Sequence, residues 1–256
     1  DVELEQSAQE LAPKEADVEK LTELFTQFEL RRHLADLTKG GNKGTDNVAA
    51  DEAEEGTIPE AVDVEYDIVL TEADFNAWLD KLKNAELFAF DTETTSIDYM
   101  QAELVGLSFS CEVGKAAYVP VAHDYLDAPT QLDRDWVLAQ LKPVLESDDH
   151  KLVGQNLKYD AHVLSHYDIT LGGIAFDTML ESYCYNSVAT RHNMDALANK
   201  YLNHETVHFE DIAGKGVKQL TFNQIDIEKA GHYAAEDADI TLRLHQAIHA
   251  KLTKNK

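Results

Sequence analysis

The stretch LFAFDTETTS, residues 87–96, decides how this chain folds. An apolar run ends abruptly in Asp91 and Glu93, which are two residues apart. If the run is a β-strand, side chains at positions i and i+2 share one face, so both carboxylates project together from the end of a buried element. Like charges at that separation repel each other. The stretch therefore predicts a core strand that ends in two functional carboxylates. Another group must offset the repulsion between them.

Two other segments place a carboxylate where a core element ends. In GQNLKYD, residues 154–160, Asp160 follows a short apolar strand and lies in the first turn of a helix. In YAAEDAD, residues 233–239, Tyr233 and Asp237 are four residues apart and share a helix face. We therefore expect the acids of all three segments to converge on one cleft.

A cleft of this composition has the ligands of a hard cation. Carboxylate oxygens without His or Cys partners suit Mg²⁺ or Mn²⁺ rather than zinc. Two such ions would offset the repulsion between Asp91 and Glu93. They would also clamp the attacking and leaving oxygens of a phosphodiester.

The pattern around these segments alternates strands and helices. Apolar or alternating runs predict five strands, at residues 87–93, 102–111, 115–122, 151–156 and 173–177. Helical patterns predict helices near residues 72–83, 133–146, 158–166 and 224–251. Three successive strands followed by helical crossovers predict an α/β fold, with a mixed five-stranded sheet flanked by helices on both faces.

The chain divides into three parts by composition. Residues 1–37 have apolar side chains near helical spacing and predict a small helical appendage. Residues 38–62 are glycine-rich, acidic and without aromatic side chains, which is typical of a flexible linker. Residues 63–256 form the predicted main domain. Because the chain has no initiator Met, we interpret it as a fragment of a longer protein.

Composition and charge exclude several classes of protein. The sequence has no long apolar run and no secretory leader, and its 2 cysteines lack a paired spacing. We therefore expect a cytoplasmic protein without membrane contact. The formal net charge of −26, spread along the chain, argues against a basic groove for nucleic acid. The first explanation of this acidity is a solvated surface, and the alternative is that some of the carboxylates gather to hold cations.

The three motifs FDTET, GQNLKYD and YAAEDAD resemble those of the DEDD proofreading exonuclease superfamily, in its tyrosine branch. The wider run, including LVGLSFS, YVPVAHDYLDAP, GIAFDTMLESY and FEDIAGKG, closely resembles the 3′→5′ exonuclease domain of the bacterial DNA polymerase I family. That resemblance covers about residues 60–256. Residues 1–37 resemble the C-terminal end of the 5′-nuclease module of the same polymerases.

The resemblance implies a ribonuclease H-like fold and two-metal hydrolysis of the 3′-terminal phosphodiester of single-stranded or frayed DNA. The product would be a nucleoside 5′-monophosphate, and the role would be proofreading in DNA replication and repair. The implied catalytic residues are Asp91, Glu93, Asp160, Tyr233 and Asp237, and the four acids among them are the implied metal ligands. The ions would be Mg²⁺ or Mn²⁺, with Zn²⁺ as an alternative at one of the two positions.

The resemblance also implies how the DNA end is held and what surrounds the domain. The positions that match nucleotide contacts in the family are Thr94, Ile97, Gln155, Asn156, Tyr159, Arg191 and Phe209. The implied partners are a single-stranded DNA 3′ end and the polymerase and 5′-nuclease domains of the same polypeptide. We expect a monomer in the bacterial cytoplasm, associated with the nucleoid.

The third motif offers two choices, because His232 precedes Tyr233. On a regular helix a residue four before Asp237 lies about 40° away around the axis, and one five before lies about 140° away. We therefore expect Tyr233 in the site and His232 on the surface or in packing.

Three histidine pairs also have the spacing of zinc ligands on a helix. They are His162 with His166, His204 with His208, and His245 with His249. The sequence suggests no third ligand near any of them, so we predict no zinc site there.

Two other functions remain open at this point. A 3′ exonuclease of the ribonuclease D type shares the three motifs but acts on RNA, and a comparison of DNA with RNA substrates separates the two. A catalytically silent scaffolding module is the other alternative. The presence of all four acids and of Tyr233 argues against it.

Overall fold

The computed structural model describes residues 17–28, 30, 33–34, 37, 62–188 and 190–254. The chain separates into two units, residues 1–57 and 58–256. In the first unit a helix, α1, spans Val18–Gln27, and Asp17 caps it by accepting a hydrogen bond from the backbone N–H of Lys20. This helix fits the helical appendage predicted for residues 1–37. All but the last residue of the predicted linker, 38–62, lies outside the described residues.

Among its described residues, the second unit is built on a mixed sheet of six strands. They are β1 (Glu65–Ile68), β2 (Leu87–Thr94), β3 (Leu104–Glu112), β4 (Lys115–Pro120), β5 (Lys151–Gly154) and β6 (Ile174–Asp177). Their order across the sheet is β1-β4-β3-β2-β5-β6. β2 lies inside the sheet, antiparallel to β3 and parallel to β5.

The α/β class and the mixed sheet are confirmed, but the sheet has six strands, one more than predicted. The additional strand is β1, which pairs in parallel with β4 at one edge of the sheet. Its sequence, EYDI, is short and alternates exposed with half-buried residues. A four-residue edge strand with two acids lacks the apolar run by which the other strands were predicted.

Helices cover the sheet. They are α2 (Glu72–Asn84), α3 (Arg134–Leu145), α4 (Leu157–Ser165), α5 (Thr178–Tyr185), α6 (Met194–Leu197), α7 (Phe209–Ala213) and α8 (Ile227–Lys254). A π-helical turn spans Ala198–Leu202, and 3₁₀ turns span Gly216–Lys218 and Phe222–Gln224. Within the part of the chain that the structure describes, none of these helices has the length and apolar character needed to cross a bilayer.

The two faces of β2 contact different layers. Phe88 and Phe90 pack in the main core, which includes side chains from α2, α3 and α4. Ala89 packs on the other face with Leu242 of α8. Because side chains alternate along a strand, Asp91 and Glu93 continue the α8 face and Thr92 continues the α4 face. The sheet therefore directs the two acids toward the long C-terminal helix.

Candidate active site

Three carboxylates meet between β2 and α8. One oxygen each of Asp91, Glu93 and Asp237 lies within 4.8 Å of the others. Asp91 and Glu93 come from the end of β2, and Asp237 comes from α8, which packs against that face of the sheet. Asp237 is buried, whereas the other two are partly exposed. The predicted convergence of these three acids is therefore present in the structure.

The charges of this cluster are strongly unfavourable without a counter-ion. Burial raises the pKa of Asp91, and the charges of Asp160 and Asp237 raise it further. Burial raises the pKa of Glu93 as well, and there the charge of Asp91 is the next cause. The pKa of Asp237 is raised mainly by burial. Each carboxylate is thus held in a position where its ionised form is destabilised.

A divalent cation fits this arrangement. Among the described residues, Oε1 of Glu93 is buried and has no hydrogen-bond partner. A buried carboxylate oxygen without a donor is costly, and a cation supplies the missing interaction. The donors are carboxylate oxygens, which hard divalent ions prefer. The three acids can therefore bind a metal ion together, because a cation would give Oε1 of Glu93 a partner and would offset the repulsion between the carboxylates.

The fourth acid, Asp160, lies beside this cluster and is held by a separate contact. Its Oδ1 accepts a hydrogen bond from the backbone N–H of Thr92 at 3.0 Å and another from the Thr92 hydroxyl at 2.5 Å. Thr92 is paired with Leu107 of β3 on one side, but the pairing of β2 with β5 on the other side ends at Ala89. The backbone N–H of Thr92 can therefore bond with Asp160 of α4. Asp160 is 2 % exposed, and burial raises its pKa to about 7.

Tyr233 lies at the edge of the acidic cluster. Burial raises the pKa of its hydroxyl well above the usual value, and the charge of Asp237 is the next cause. Its ring meets that of Phe209 at 6.3 Å, edge to face, and that of Phe222 at 6.1 Å. His232 is exposed and packs edge to face on Tyr66, with ring centroids 5.3 Å apart. The structure thus brings Tyr233, and not His232, to the acids.

Several predicted DNA contacts surround the end of β2. The hydroxyl of Tyr159 is 2.5 Å from both the Thr94 hydroxyl and the carbonyl oxygen of Ser96. These contacts fix the loop that follows β2 to helix α4. Ile97, in that loop, is 97 % exposed. An isoleucine side chain in full contact with water is available for a ligand.

The remaining predicted DNA contacts lie just before α4, next to His192 and at the start of α7. Gln155 donates from its amide to the carbonyl oxygen of His192 at 2.8 Å and accepts a hydrogen bond from the Thr178 hydroxyl. Asn156 has a φ of 66°, a left-handed conformation that asparagine tolerates better than most residues. Arg191 is exposed and adjacent to His192. Phe209 begins α7 and is partly buried against Tyr233.

Two supporting residues were not predicted from the sequence. Thr92 is the first, through its two bonds to Asp160. The second is Glu236, which is 5 % exposed and accepts hydrogen bonds from His204 at 2.9 Å and from the backbone N–H of Val207 at 2.7 Å. It fixes the chain just before Phe209. The alternation of side chains in FDTET places Thr92 on the α4 face, and this pattern could have indicated its role. The sequence contains no pattern that indicates the contacts of Glu236.

One histidine pair has a third potential ligand, contrary to expectation. His245 and His249 of α8 both direct Nδ1 at the carboxylate of Glu181 in α5. The prediction that no third ligand lies near these pairs is therefore wrong here. Glu181 is 64 residues from His245 and 68 residues from His249 in the sequence, so no local pattern could indicate that it lies near them.

Comparisons with known proteins agree with this geometry. A family model described as 3′-5′ exonuclease matches residues 66–253. DNA polymerase I of Pseudomonas aeruginosa is 55 % identical over 254 residues, which is 98 % of this chain and 27 % of that protein. This chain therefore spans about a quarter of the length of that relative.

Solved structures share the fold at low sequence identity. Ribonuclease D of Escherichia coli superimposes with a TM-score of 0.56 at 13 % identity, over 75 % of this chain and 46 % of that one. NrnC of Brucella melitensis gives a TM-score of 0.53 at 17 % identity, over 75 % of this chain and 83 % of that one. These likenesses confirm the fold of the ribonuclease H-like exonucleases. Together with the family match and the sequence relatives, they show that the chain belongs to the 3′-5′ exonuclease family of bacterial DNA polymerase I.

Proposed function

We propose that the acidic cluster is the hydrolytic centre of a 3′→5′ exonuclease that removes nucleoside 5′-monophosphates from an unpaired DNA 3′ end. The observation that carries the proposal is the approach of Asp91, Glu93 and Asp237 to within 4.8 Å, with Oε1 of Glu93 buried and unpartnered among the described residues. The ionised carboxylates of such a cluster repel each other, and bound cations would offset that repulsion, so the cluster supports a metal-dependent function.

The residues divide into two ligand groups in this proposal. Asp91, Glu93 and Asp237 would hold one divalent cation, and Asp91 with Asp160 would hold the second. When bound, such cations supply Lewis-acid stabilisation of the phosphodiester and activation of water. The hydrogen bonds from Thr92 fix Oδ1 of Asp160, which leaves its other carboxylate oxygen for a ligand. Mg²⁺ and Mn²⁺ are the ions that suit this set of oxygen donors.

Tyr233 is a positioning residue rather than a base. Because its pKa is raised above the usual value of a tyrosine, its hydroxyl keeps its proton at neutral pH. It can therefore donate a hydrogen bond and orient a water molecule or a phosphate oxygen. It cannot serve as the group that removes the proton.

The proposed substrate end would lie across the loop after β2 and the start of α4. The fully exposed Ile97 suits packing against an unpaired base, which requires no particular sequence. The other proposed contacts to the terminal nucleotides are Thr94, Gln155, Asn156, Tyr159, Arg191 and Phe209. The amide of Gln155 and the hydroxyl of Tyr159 already have partners within the protein. Their first role is therefore to hold the site in shape.

The charge of the chain has a consequence for delivery of the substrate. With a net charge of −26, the chain should bind DNA weakly and with strong sensitivity to salt. We propose that polymerase and 5′-nuclease domains of the same polypeptide deliver the DNA end. Residues 1–37 would then be the C-terminal end of the 5′-nuclease module, and 38–62 a linker to the exonuclease domain, 63–256.

The test is release of 5′-mononucleotides from an oligonucleotide with an unpaired 3′ end, in Mg²⁺ or Mn²⁺ and in EDTA. The wild type is compared with Asp91→Ala combined with Glu93→Ala, and with His232→Ala as a matched control outside the cluster. Parallel reactions use RNA of the same sequence. We expect cation-dependent release from DNA that the double variant loses and the control keeps.

Two outcomes would contradict the proposal. Release that continues in the double variant would place the chemistry elsewhere. Faster release from RNA than from DNA would indicate an exonuclease of the ribonuclease D type.

A further inference from the structure

A second group of metal-ligating side chains lies outside the acidic cluster. His245 and His249 are one turn apart on α8, and Glu181 reaches them from α5. Nδ1 of His245 is 3.0 Å from Oε1 of Glu181 and 3.1 Å from Oε2, and Nδ1 of His249 is 3.1 Å from Oε1. The three potential ligand atoms all lie within 4.8 Å of one another.

These separations are close to those around a tetrahedral zinc ion. With Zn–N and Zn–O bonds of about 2.0–2.2 Å, neighbouring ligand atoms are about 3.3 Å apart. The two nitrogen–oxygen distances of 3.0 and 3.1 Å differ from that value by only a few tenths of an ångström. Along these two edges of the site, a zinc ion therefore requires the ligand atoms to move apart by only a few tenths of an ångström.

The surroundings hold these side chains in place. The Glu181 and His245 side chains are 8 % and 7 % exposed, and the His249 side chain is 40 % exposed. The ring of Phe176 packs against His245 at 4.2 Å and against His249 at 5.0 Å, which restricts both imidazoles. Glu181 and His245 are thus held inside the fold. The group is exposed to solvent at His249, where a water molecule can reach it.

We propose that Glu181, His245 and His249 form a zinc site with one position left for water. Each neutral imidazole would bind through Nδ1 and carry its proton on Nε2, and the Glu181 carboxylate would bind through one oxygen. The ion would join α5 to the C-terminal half of α8. His245 lies about 12 Å further along the helix axis than Asp237, so the two metal sites are separate.

The alternative is that the three side chains form a hydrogen-bonded group only. In that arrangement both Nδ1–H groups donate to the Glu181 carboxylate, and no metal binds above the level of an exposed histidine. The two arrangements differ in the state of Nδ1, which donates a proton in one and coordinates a metal in the other.

The test uses the whole chain and two probes, Zn²⁺ and Co²⁺. Zinc affinity is measured for the wild type, for His249→Ala and for Glu181→Gln. A matched control is His162→Ala, which removes an exposed histidine from another helical pair. All four are repeated with Asp91→Ala and Glu93→Ala added, so that cations at the acidic cluster do not contribute. Co²⁺ reports nitrogen ligands through its visible absorption.

We expect one tight zinc equivalent that survives loss of the acidic cluster. His249→Ala and Glu181→Gln should each weaken it by at least about 100-fold, and His162→Ala should leave it unchanged. In the wild type, zinc should also shift the Nδ1 resonances of His245 and His249 to those of coordinated nitrogen. That measurement needs no variant to fold.

Zinc affinity that is equal in His249→Ala and the wild type would overturn the proposal. So would Nδ1 resonances that do not respond to zinc added in excess of what the acidic cluster binds. Because neither readout uses exonuclease activity, failure of this site would leave the proposed exonuclease function untouched.

Discussion

Thr92 donates both its backbone N–H and its hydroxyl to a single oxygen of Asp160, at 3.0 and 2.5 Å. Thr92 stands between Asp91 and Glu93 on β2, but its side chain belongs to the opposite face of the strand. One short segment thus positions acids from both of its faces, directly on one face and through Thr92 on the other. Asp91 and Glu93 face α8, and Thr92 holds the acid that comes from α4.

The substitution Thr92→Val should therefore lower the activity of the acidic site without changing its charge. Valine keeps the shape and strand preference of threonine but leaves Oδ1 of Asp160 with one hydrogen bond fewer. We expect the exonuclease rate to fall by about 10- to 100-fold and the cation requirement to rise. Rates are measured across a Mg²⁺ titration.

Two controls make this result specific. Thr92→Ser retains a hydroxyl and should recover most of the rate, and Thr170→Val, an exposed threonine, should be neutral. An unchanged rate and cation requirement in Thr92→Val would show that the contact to Asp160 does not support the site.

Asp160→Asn should stabilise the cation-free protein while it abolishes activity. An aspartate has a pKa of about 3.9 in the unfolded chain, whereas burial raises the pKa of Asp160 to about 7 in the fold. Between these values the folded state binds more protons than the unfolded state. The contribution of this group to the free energy of unfolding therefore falls as pH rises.

The measurement is denaturant unfolding in EDTA from pH 4 to pH 8. Asn lacks the titration, so the variant should match the wild type near pH 4 and exceed it by roughly 2–4 kcal/mol near pH 8. Equal stability of the two proteins at pH 8 would mean that burial does not raise the pKa of Asp160 in the folded state.

Tyr233→Phe should lower kcat and leave KM nearly unchanged. The loss of an orienting hydroxyl should reduce kcat by about 100-fold, since misplacement of a reacting group costs about this much. Because the tyrosine keeps its proton, the wild-type pH profile should show no tyrosine ionisation. His232→Ala is the matched control, since this neighbour is exposed and packs on Tyr66. A larger loss in His232→Ala than in Tyr233→Phe would reverse the assignment within the motif.

Ile97→Ala should weaken binding of the DNA end with little effect on stability. The side chain is 97 % exposed, so its removal takes no contact from the core. Stacking of a base on an aromatic side chain contributes about 1–3 kcal/mol, and the smaller contact with isoleucine should lie near the lower end, which predicts a KM raised by about 5- to 10-fold. Leu126→Ala, at a side chain 89 % exposed, is the control. If both variants behave alike, Ile97 does not contact the substrate.

Local periodicity predicted much of this architecture. The period of two in FDTET placed Asp91 and Glu93 on one face, and the structure agrees. The spacing of four between Tyr233 and Asp237 placed both on one face of α8, near the same cleft. Both predictions depend on residues within one element, where the backbone geometry is fixed.

Contacts between distant segments could not be predicted in this way. The bonds from Thr92 to Asp160 join residues 68 apart, and they depend on where β5 ends relative to β2. The approach of Glu181 to His245 depends on the packing of α5 against α8. β1 was missed because an edge strand of four residues buries too little to produce an apolar pattern.

We expect Asp91, Glu93 and Asp237 together to hold a divalent cation. The most direct measurement is anomalous diffraction from crystals of this chain soaked in Mn²⁺, for the wild type and for Asp237→Asn. A manganese peak is expected among these three carboxylates in the wild type, and it should be lost in the variant. A wild-type map without manganese at this position, from protein that hydrolyses DNA in the same Mn²⁺ solution, would contradict this expectation.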